Sequence, residues 1–153
     1  MHSDNNVTVK YAGFWFRFIA AIVDGILIQI AAFIIVLPLA FMVGLSMAES
    51  AAPHEIEAAG AALGFVIGLL VQWLYFTVSE SSGWQATLGK KMFGLRVTDA
   101  DGNKLGFGKA NGRYWGKILS TLILCIGFLM IAFTQKKQGL HDIIAGTLVV
   151  RKS

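Results

Sequence analysis

The chain has 153 residues, of which 56% are apolar and only 14% are charged, and its formal net charge is +4. Soluble domains average roughly 45–50% apolar and about 25% charged residues, and a soluble chain this short could not bury so much apolar surface. Its basic residues gather in one loop and near helix ends, which argues against nucleic-acid binding and predicts a protein oriented in a lipid bilayer. Cys125 stands alone in an apolar run, which excludes a disulfide framework.

The first apolar run covers residues 14–48. At 1.5 Å per residue it would be about 50 Å long, against about 30 Å for the hydrocarbon core. We therefore predict a membrane span at about residues 20–44, kinked at Pro38. The aromatic residues within 11–18 are expected at the membrane interface. The polar start of the chain and the length of the run predict a retained helix rather than a signal peptide.

A polar break at residues 49–57 has three Glu and no Lys or Arg, and a second span is predicted at about 58–78. The polar stretch that follows, residues 79–113, contains six Lys or Arg residues. By the positive-inside rule this stretch and the N-terminus are cytoplasmic, and the break is outside. The sequence thus predicts a multi-pass protein of the cell (inner) membrane, whose first partner is the lipid bilayer.

A third apolar segment, at about residues 114–134, has two possible topologies. A single crossing would put the basic residues of the C-terminus outside, against the positive-inside rule. A break near residues 125–127 followed by a return would keep them inside, and each half would be only about 15 Å long, as in a re-entrant hairpin. Residues 94–98 and 147–151 are short and β-branched and could pair on one side of the membrane, which favours the hairpin and a cytoplasmic C-terminus.

The polar loop should contain two small elements. Residues 99–103 form a turn sequence with Gly102 suited to a left-handed position, and with residues 104–107 they predict a β-hairpin. Between residues 84 and 93 we expect a short amphipathic helix at the cytoplasmic interface, with Lys90 and Lys91 in the headgroup layer. Arg96 belongs to the same basic interface. The predicted fold is an all-α membrane domain over residues 1–153 with two long spans, a third apolar segment and this small β element.

Arg17 and Asp24 are the ionisable groups of the first span, and seven residues place them on one helix face. Arg17 can extend to lipid phosphates, but Asp24 is too deep for that. An ionisable side chain inside a span costs roughly 2.5–3.5 kcal/mol. Three explanations remain open for Asp24: an ion pair with Arg17, another helix or another subunit; ion or proton handling; or a protonated residue without a role.

His141 and Asp142 open a short apolar segment. Asp142 would complement the macrodipole of a helix that starts there. His141 could relay protons near neutral pH, or it could be a hydrogen-bonded surface group.

Small residues recur every four positions along the second span, at Gly60, Gly64 and Gly68, followed by Gln72. Such repeats allow another helix to approach closely, within one subunit or between subunits, and Gln72 could bond across the contact. We therefore expect a homo-oligomer, with a glycine-lined path as the functional alternative.

Three stretches together resemble the RDD family of small multi-pass bacterial membrane proteins. Residues 11–24 place Arg17 and Asp24 where that family has its Arg and first Asp, residues 87–102 match its Gly-Lys…Gly-Leu-Arg-Val…Asp-Gly run, and residues 138–150 supply Asp142 as the second Asp. One departure is Leu88, where many members have Pro. The resemblance implies a membrane protein for which transport of an unidentified ligand, or cation/proton exchange, is the usual suggestion.

Two classes of function follow. The first is transport, ion- or proton-linked, with Asp24 and Asp142 as titrating groups, a small cation or a proton as the partner, and oligomerisation to enclose a path. The second is a non-transporting scaffold or accessory subunit in which Arg17, Asp24 and Asp142 hold the helices together. An enzyme is a distant third, because phosphate-binding, calcium-loop and metal-ligand spacings all fail, and neither a cofactor nor catalytic residues are expected.

Overall fold

The computed structural model describes residues 10–123 and 126–151. In chain order its elements are α1 (Phe14–Met47), α2 (Pro53–Ser81), α3 (Leu88–Met92), β1 (Leu95–Asp99), α4 (Phe107–Leu122), α5 (Ile126–Phe133), α6 (Leu140–Ile144) and β2 (Thr147–Arg151). The predicted mixture of two long apolar helices, a third apolar segment and a small β element is confirmed.

Helices α1 and α2 form an antiparallel pair of membrane length. They contain 34 and 29 residues, or about 51 Å and about 43 Å of helix. Both are long and apolar enough to cross a membrane, and most residues of their most apolar windows face outward, as they do in a helix surrounded by lipid. Of the aromatic residues predicted at the interface, Phe14, Trp15, Phe16 and Phe18 are part of α1, whereas Tyr11 precedes it and forms a β-bridge with Val150. Pro38 lies within α1. Pro53 starts α2, where a missing N–H costs nothing.

Helices α4 and α5 form a bent apolar pair, with an angle of 103° between them. Helix α4 begins at Phe107, seven residues before the predicted start, so Arg113 lies on a helix and not in a loop. The bend brings α5 close to α4, because a Cβ at Gly127 would lie 2.7 Å from Ser120 Oγ. Of the break predicted near residues 125–127, Cys125 lies outside the described residues, and the other two are the first residues of α5.

Strands β1 and β2 pair antiparallel, as predicted for these β-branched segments. Leu95 pairs with Arg151, Val97 with Val149, and Asp99 with Thr147. Since the two strands flank the α4–α5 pair in the sequence, their pairing places both ends of that pair at the same end of the molecule. This is the arrangement that a re-entrant hairpin requires.

The predicted hairpin at residues 99–107 is reduced to a tight turn. Gly102 has a φ of +83°, the left-handed position expected of it. Beyond the turn, however, only an isolated bridge joins Thr98 to Lys104, because Leu105 is buried in the core and the chain then enters α4. The sheet is therefore built from distant segments.

The two strands together with α3 and α6 are here called the head module, and a small core packs the strands against the start of α1 and the start of α4. Its buried members are Ala12, Ala20, Leu95, Val97, Leu105, Ala110 and Val149. The chain before α1 is fixed to the sheet, since Ala12 N donates to Val149 O at 2.8 Å and Arg151 N donates to Lys10 O at 2.8 Å. The first turns of α1 and the end of α2 thus lie beside the head module.

This arrangement makes a topology prediction. In a Cys125→Ser background, single cysteines replace Ser50 in the α1–α2 turn, Asp101 in the polar loop, or Ser153, which lies outside the described residues. Because the basic loop should be cytoplasmic, an impermeant thiol reagent added to intact cells should label position 50 alone. All three should react after the cells are opened. External labelling at 153 would instead establish a third full crossing.

Candidate functional site

A buried cluster of charged side chains lies where the membrane helices meet the head module. Five helices contribute to it, namely α1, α2, α3, α4 and α6. Its members, here called the charge network, are Arg17, Glu80, Lys90, Arg113, Lys117, His141 and Asp142.

Arg113 is at the centre of the charge network and is fully buried. Its Nε lies 2.9 Å from Glu80 Oε2, and its Nη1 forms an ion pair with Asp142 Oδ1. The same Nη1 donates to Thr147 Oγ1 at 2.8 Å. One side chain of α4 therefore joins α2, α6 and the first residue of β2. Close packing permits this, since a Cβ at Gly116 would lie 3.1 Å from the His141 Cα.

Asp142 binds both arginines of the charge network. Arg17 Nη2 lies 2.5 Å from Asp142 Oδ2, and Gly139 N donates to the same oxygen at 3.0 Å, as expected near a helix start. Burial opposes ionisation of Asp142, but the Arg113 and Arg17 guanidiniums outweigh it and hold the pKa of this carboxyl well below its ordinary value. Arg17 also donates to Lys137 O at 2.8 Å, so it is a buried internal partner and not a residue that extends to lipid.

Glu80 forms ion pairs with the two lysines of the charge network. Lys90 Nζ forms an ion pair with Glu80 Oε1, and Lys117 Nζ lies 3.3 Å from the same atom. The prediction of Lys90 in the headgroup layer is wrong, because this side chain is buried and turned toward Glu80. Burial also lowers the pKa of the Lys90 ammonium, while Glu80 opposes that shift. Lys91 is exposed over the Trp84 ring, 3.8 Å from its centroid.

Asp24 is fully buried and accepts hydrogen bonds from neutral donors. Tyr75 Oη donates to Oδ1 at 2.7 Å, Gly89 N donates to Oδ1 at 2.7 Å, and Thr87 Oγ1 donates to Oδ2 at 2.5 Å. Among the explanations left open for Asp24, the ion pair with Arg17 is not formed, because Arg17 binds Asp142 instead. Gly89 is required here, since a Cβ would lie 2.9 Å from the Asp24 Cγ and still closer to a carbonyl of α1. Asp24 thus fixes α3 to both α1 and α2.

His141 is buried, which excludes a surface group, one of the two alternatives that the sequence left open. Its Nε2 lies 3.1 Å from Arg17 Nη2, and because a guanidinium can only donate, we assign Nε2 as acceptor and place the ring proton on Nδ1. Burial lowers the pKa of His141 to about 2, which keeps the ring neutral. A proton relay through His141 near neutral pH gains no support from this environment.

A cavity of about 460 Å³ adjoins the charge network between α1, α2, α4 and α5. Polar side chains line one end of it, namely Arg17, Asp24, Lys90, Arg113, Lys117 and His141. Aromatic and aliphatic side chains form the rest of its wall, among them Phe14, Phe18, Phe76, Ile118, Phe128 and Ile131. We call this space the amphipathic cavity.

The glycine stripe of α2 lines a second cavity, between α1 and α2. A Cβ at Gly64 would lie 3.5 Å from Val36 Cγ1 of α1, whereas one at Gly60 or Gly68 would have no neighbour within 4 Å among the described residues. Close helix approach within the chain therefore occurs at Gly64 alone of these three. Gln72 lines both cavities. Assembly through the stripe stays a prediction.

Sequence reasoning missed Glu80 and Lys117 as members of the site, and it placed Arg113 in a loop. A usable signal was present for two of them, because Arg113 and Lys117 are four residues apart and share one face of a helix. It was overlooked because the apolar run was taken to define the helix, which starts earlier, at Phe107. Tyr75, Thr87 and Gly89 carry no comparable signal.

The long apolar helices and the buried charges at one end of them define the class: a helical integral membrane protein. The model of the RDD family matches residues 11–146, so the chain belongs to the RDD family. In Bacillus subtilis (strain 168) it is similar to the uncharacterized protein YxaI, with 40% identity over 94% of this chain and 99% of the relative. It is also similar to the uncharacterized membrane protein YteJ, with 34% identity over 95% of this chain and 84% of the relative. No solved structure matches the chain.

Removal of the central cation should test the charge network. Arg113→Met leaves Glu80 and Asp142 buried beside fewer cations, so we expect the free energy of unfolding to fall by about 3–5 kcal/mol. Lys109→Met is the matched control, because Lys109 lies on the same helix and is exposed. Its loss should change stability by less than about 1 kcal/mol. Thermal unfolding in detergent measures both variants, and equal melting temperatures would exclude a stabilising network.

The neutral state of His141 makes a pH prediction. The unfolded chain protonates this residue below about pH 6.5, whereas the folded protein resists protonation down to about pH 2. In that window the unfolded state binds more protons, so stability should fall as the pH is lowered, by up to about 1.4 kcal/mol per pH unit. His141→Gln should flatten this dependence between pH 6.5 and pH 5, and His54→Gln, at an exposed position of α2, should not. Parallel slopes for the two variants would contradict the assignment.

Proposed function

We propose that this chain is a non-transporting membrane scaffold or accessory subunit, in which buried charges fix the head module to the membrane helices. The observation that carries this proposal is the complete occupation of the carboxylates by donors of the protein itself. Asp24 accepts hydrogen bonds from three neutral groups, Asp142 forms ion pairs with two arginines and accepts from Gly139 N, and Glu80 forms ion pairs with three cations.

Such carboxylates suit a structural role better than an ion-carrying one. A transported cation needs oxygen ligands that are free to replace its hydration shell. Here the oxygens of Asp24 and Asp142 already bind donors from separate elements, so a passing cation would have to displace Tyr75, Thr87 or an arginine. Opening a buried, hydrogen-bonded charge cluster leaves uncompensated charges in a medium of low dielectric constant. These contacts therefore favour a structural role, in which the carboxylates permanently hold the head module against the membrane helices.

Ion- or proton-linked transport is the second candidate, and one observation favours it. Gln72 lines both the amphipathic cavity and the cavity between α1 and α2, and Gln29 adds a second polar group to the latter. Polar side chains at membrane depth often mark an ion path. A chain of this length encloses little space alone, so this function would depend on a homo-oligomer.

Asp24→Asn separates the two functions. An amide keeps one acceptor oxygen but replaces the other with an N–H donor, so at least one of the three groups that donate to Asp24 loses its acceptor and stability should fall by about 1–3 kcal/mol. Proteoliposomes with wild-type protein should show no flux of Na⁺, K⁺ or protons above that of empty liposomes. Asp101→Asn, at an exposed turn position, is the control for stability.

Two results would contradict the scaffold. One is wild-type cation or proton flux that depends on pH and is abolished in an Asp24→Asn protein of unchanged melting temperature. The other is an Asp24→Asn protein that is as stable as the Asp101→Asn control, since the hydrogen bonds of Asp24 would then contribute nothing to the stability of the fold.

A further inference from the structure

The polar end of the amphipathic cavity has more positive charge and more hydrogen-bond donors than the described residues pair. Around it lie four cationic side chains and three carboxylates, which leaves one cation in excess. The carboxylates of Glu80 and Asp142 are occupied on the protein side and do not line the cavity. The charge that remains toward the cavity is positive.

Two buried N–H groups at this end have no hydrogen-bond partner among the described residues: Arg113 Nη2 and His141 Nδ1. Both side chains line the cavity and are at most 2% exposed. Arg113 is a permanent donor, and the neutral imidazole assigned above also has its proton on the unpartnered nitrogen. Leaving a buried donor unpaired is unfavourable, so an acceptor that entered the cavity and reached these two atoms would remove that cost.

The rest of the wall is apolar and reaches the outer surface of the helices. Phe18 of α1 and Leu129 of α5 line the cavity and are 47% and 50% exposed, on surfaces where lipid chains lie. The polar end is near the first turn of α1, because Arg17 is its fourth residue. The cavity therefore presents cations at the level of the head groups and apolar side chains deeper in the membrane.

We propose that the amphipathic cavity binds an anionic amphiphile, with an acidic head at Arg113, Lys117 and His141 and an alkyl chain along α1, α4 and α5. Guanidinium and ammonium groups bind carboxylates and phosphates alike. A volume of about 460 Å³ lies within the roughly 300–1,000 Å³ typical of small-molecule sites. A cation would meet net repulsion there, and an uncharged alkyl chain would leave both donors unpaired. This site is independent of whether the protein is a scaffold.

Lys117 is the residue whose charge can be removed with least damage to the charge network. Its side chain is 18% exposed, and Glu80 keeps two other cationic partners without it. Lys117→Gln should therefore fold and bind the amphiphile at least about tenfold more weakly, and Lys117→Arg should restore binding. Ile118→Trp should obstruct the apolar wall with all charges retained. Lys104→Gln, an exposed cation of the polar loop, is the control.

Binding is measured on the full chain in a nonionic detergent, by native mass spectrometry and by the rise in melting temperature. The probes are oleate, phosphatidylglycerol, phosphatidylcholine and inorganic phosphate. We expect binding of oleate, phosphatidylglycerol or both, weak binding of phosphatidylcholine and of phosphate alone, loss in Lys117→Gln and Ile118→Trp, and no change in Lys104→Gln. Comparison of the first two probes identifies a fatty acid or a phospholipid as the source of the acidic head.

Several results would overturn the proposal. Equal affinity for phosphatidylcholine would show that the cavity accepts alkyl chains without regard to charge. Equal affinity for inorganic phosphate would remove the role of the apolar wall. Unchanged oleate and phosphatidylglycerol binding in a folded Lys117→Gln protein would place the ligand elsewhere.

Discussion

The ion pairs that Arg113 makes with Glu80 and Asp142 are the interaction on which the other contacts of this protein depend. Charges in an apolar surrounding are stable only when every one of them is paired and hydrogen-bonded. Because the partners of this arginine come from α2 and α6, and Asp142 in turn binds Arg17 of α1, the network closes only when these helices are all in place. Removing α2 would leave Lys90 without its carboxylate partner and removing α6 would do the same to Arg17, so assembly of the membrane helices and the head module is coupled.

The charged groups can meet only because the backbones around them are close together. A Cβ at Gly89, Gly116, Gly127 or Gly139 would lie within about 3.2 Å of a neighbouring residue, and the contact partners include Asp24 and His141. A larger residue at these points would push α3 away from α1, and α4 away from α5 and α6, and so lengthen the contacts between the paired side chains. The glycines thus set the distances at which the side chains pair, much as small residues do in other membrane-helix contacts.

The sequence was sufficient for most of the fold and for little of the site. Long apolar runs predict membrane helices because lipid demands them, and the β-branched segments identify β1 and β2. Arg113 was not predicted as a site residue because α4 begins as an amphipathic helix, and the start of such a helix cannot be located from an apolar run. The site itself joins residues far apart in the sequence, 125 positions in the case of Arg17 and Asp142. The energetic cost of a buried carboxyl group predicts that Asp24 needs a partner. Its donors, however, are neutral groups, one of them a backbone N–H, and no sequence pattern identifies such donors.

The polar groups that lack a partner in the described part of the folded protein determine which class of ligand the amphipathic cavity can bind. Among the described residues, every carboxylate near the cavity is ion-paired or hydrogen-bonded and so is not free to bind a cation, whereas two N–H donors and one positive charge have no partner. A surplus of cations at this end of the helices is also what the positive-inside rule requires for orientation. The same lysines and arginines can therefore orient the chain, hold its helices together and attract an acidic head group. Because the anion would complete the hydrogen bonds of Arg113, the residue at the centre of the charge network, occupation of the cavity would stabilise the fold as well as fill the site.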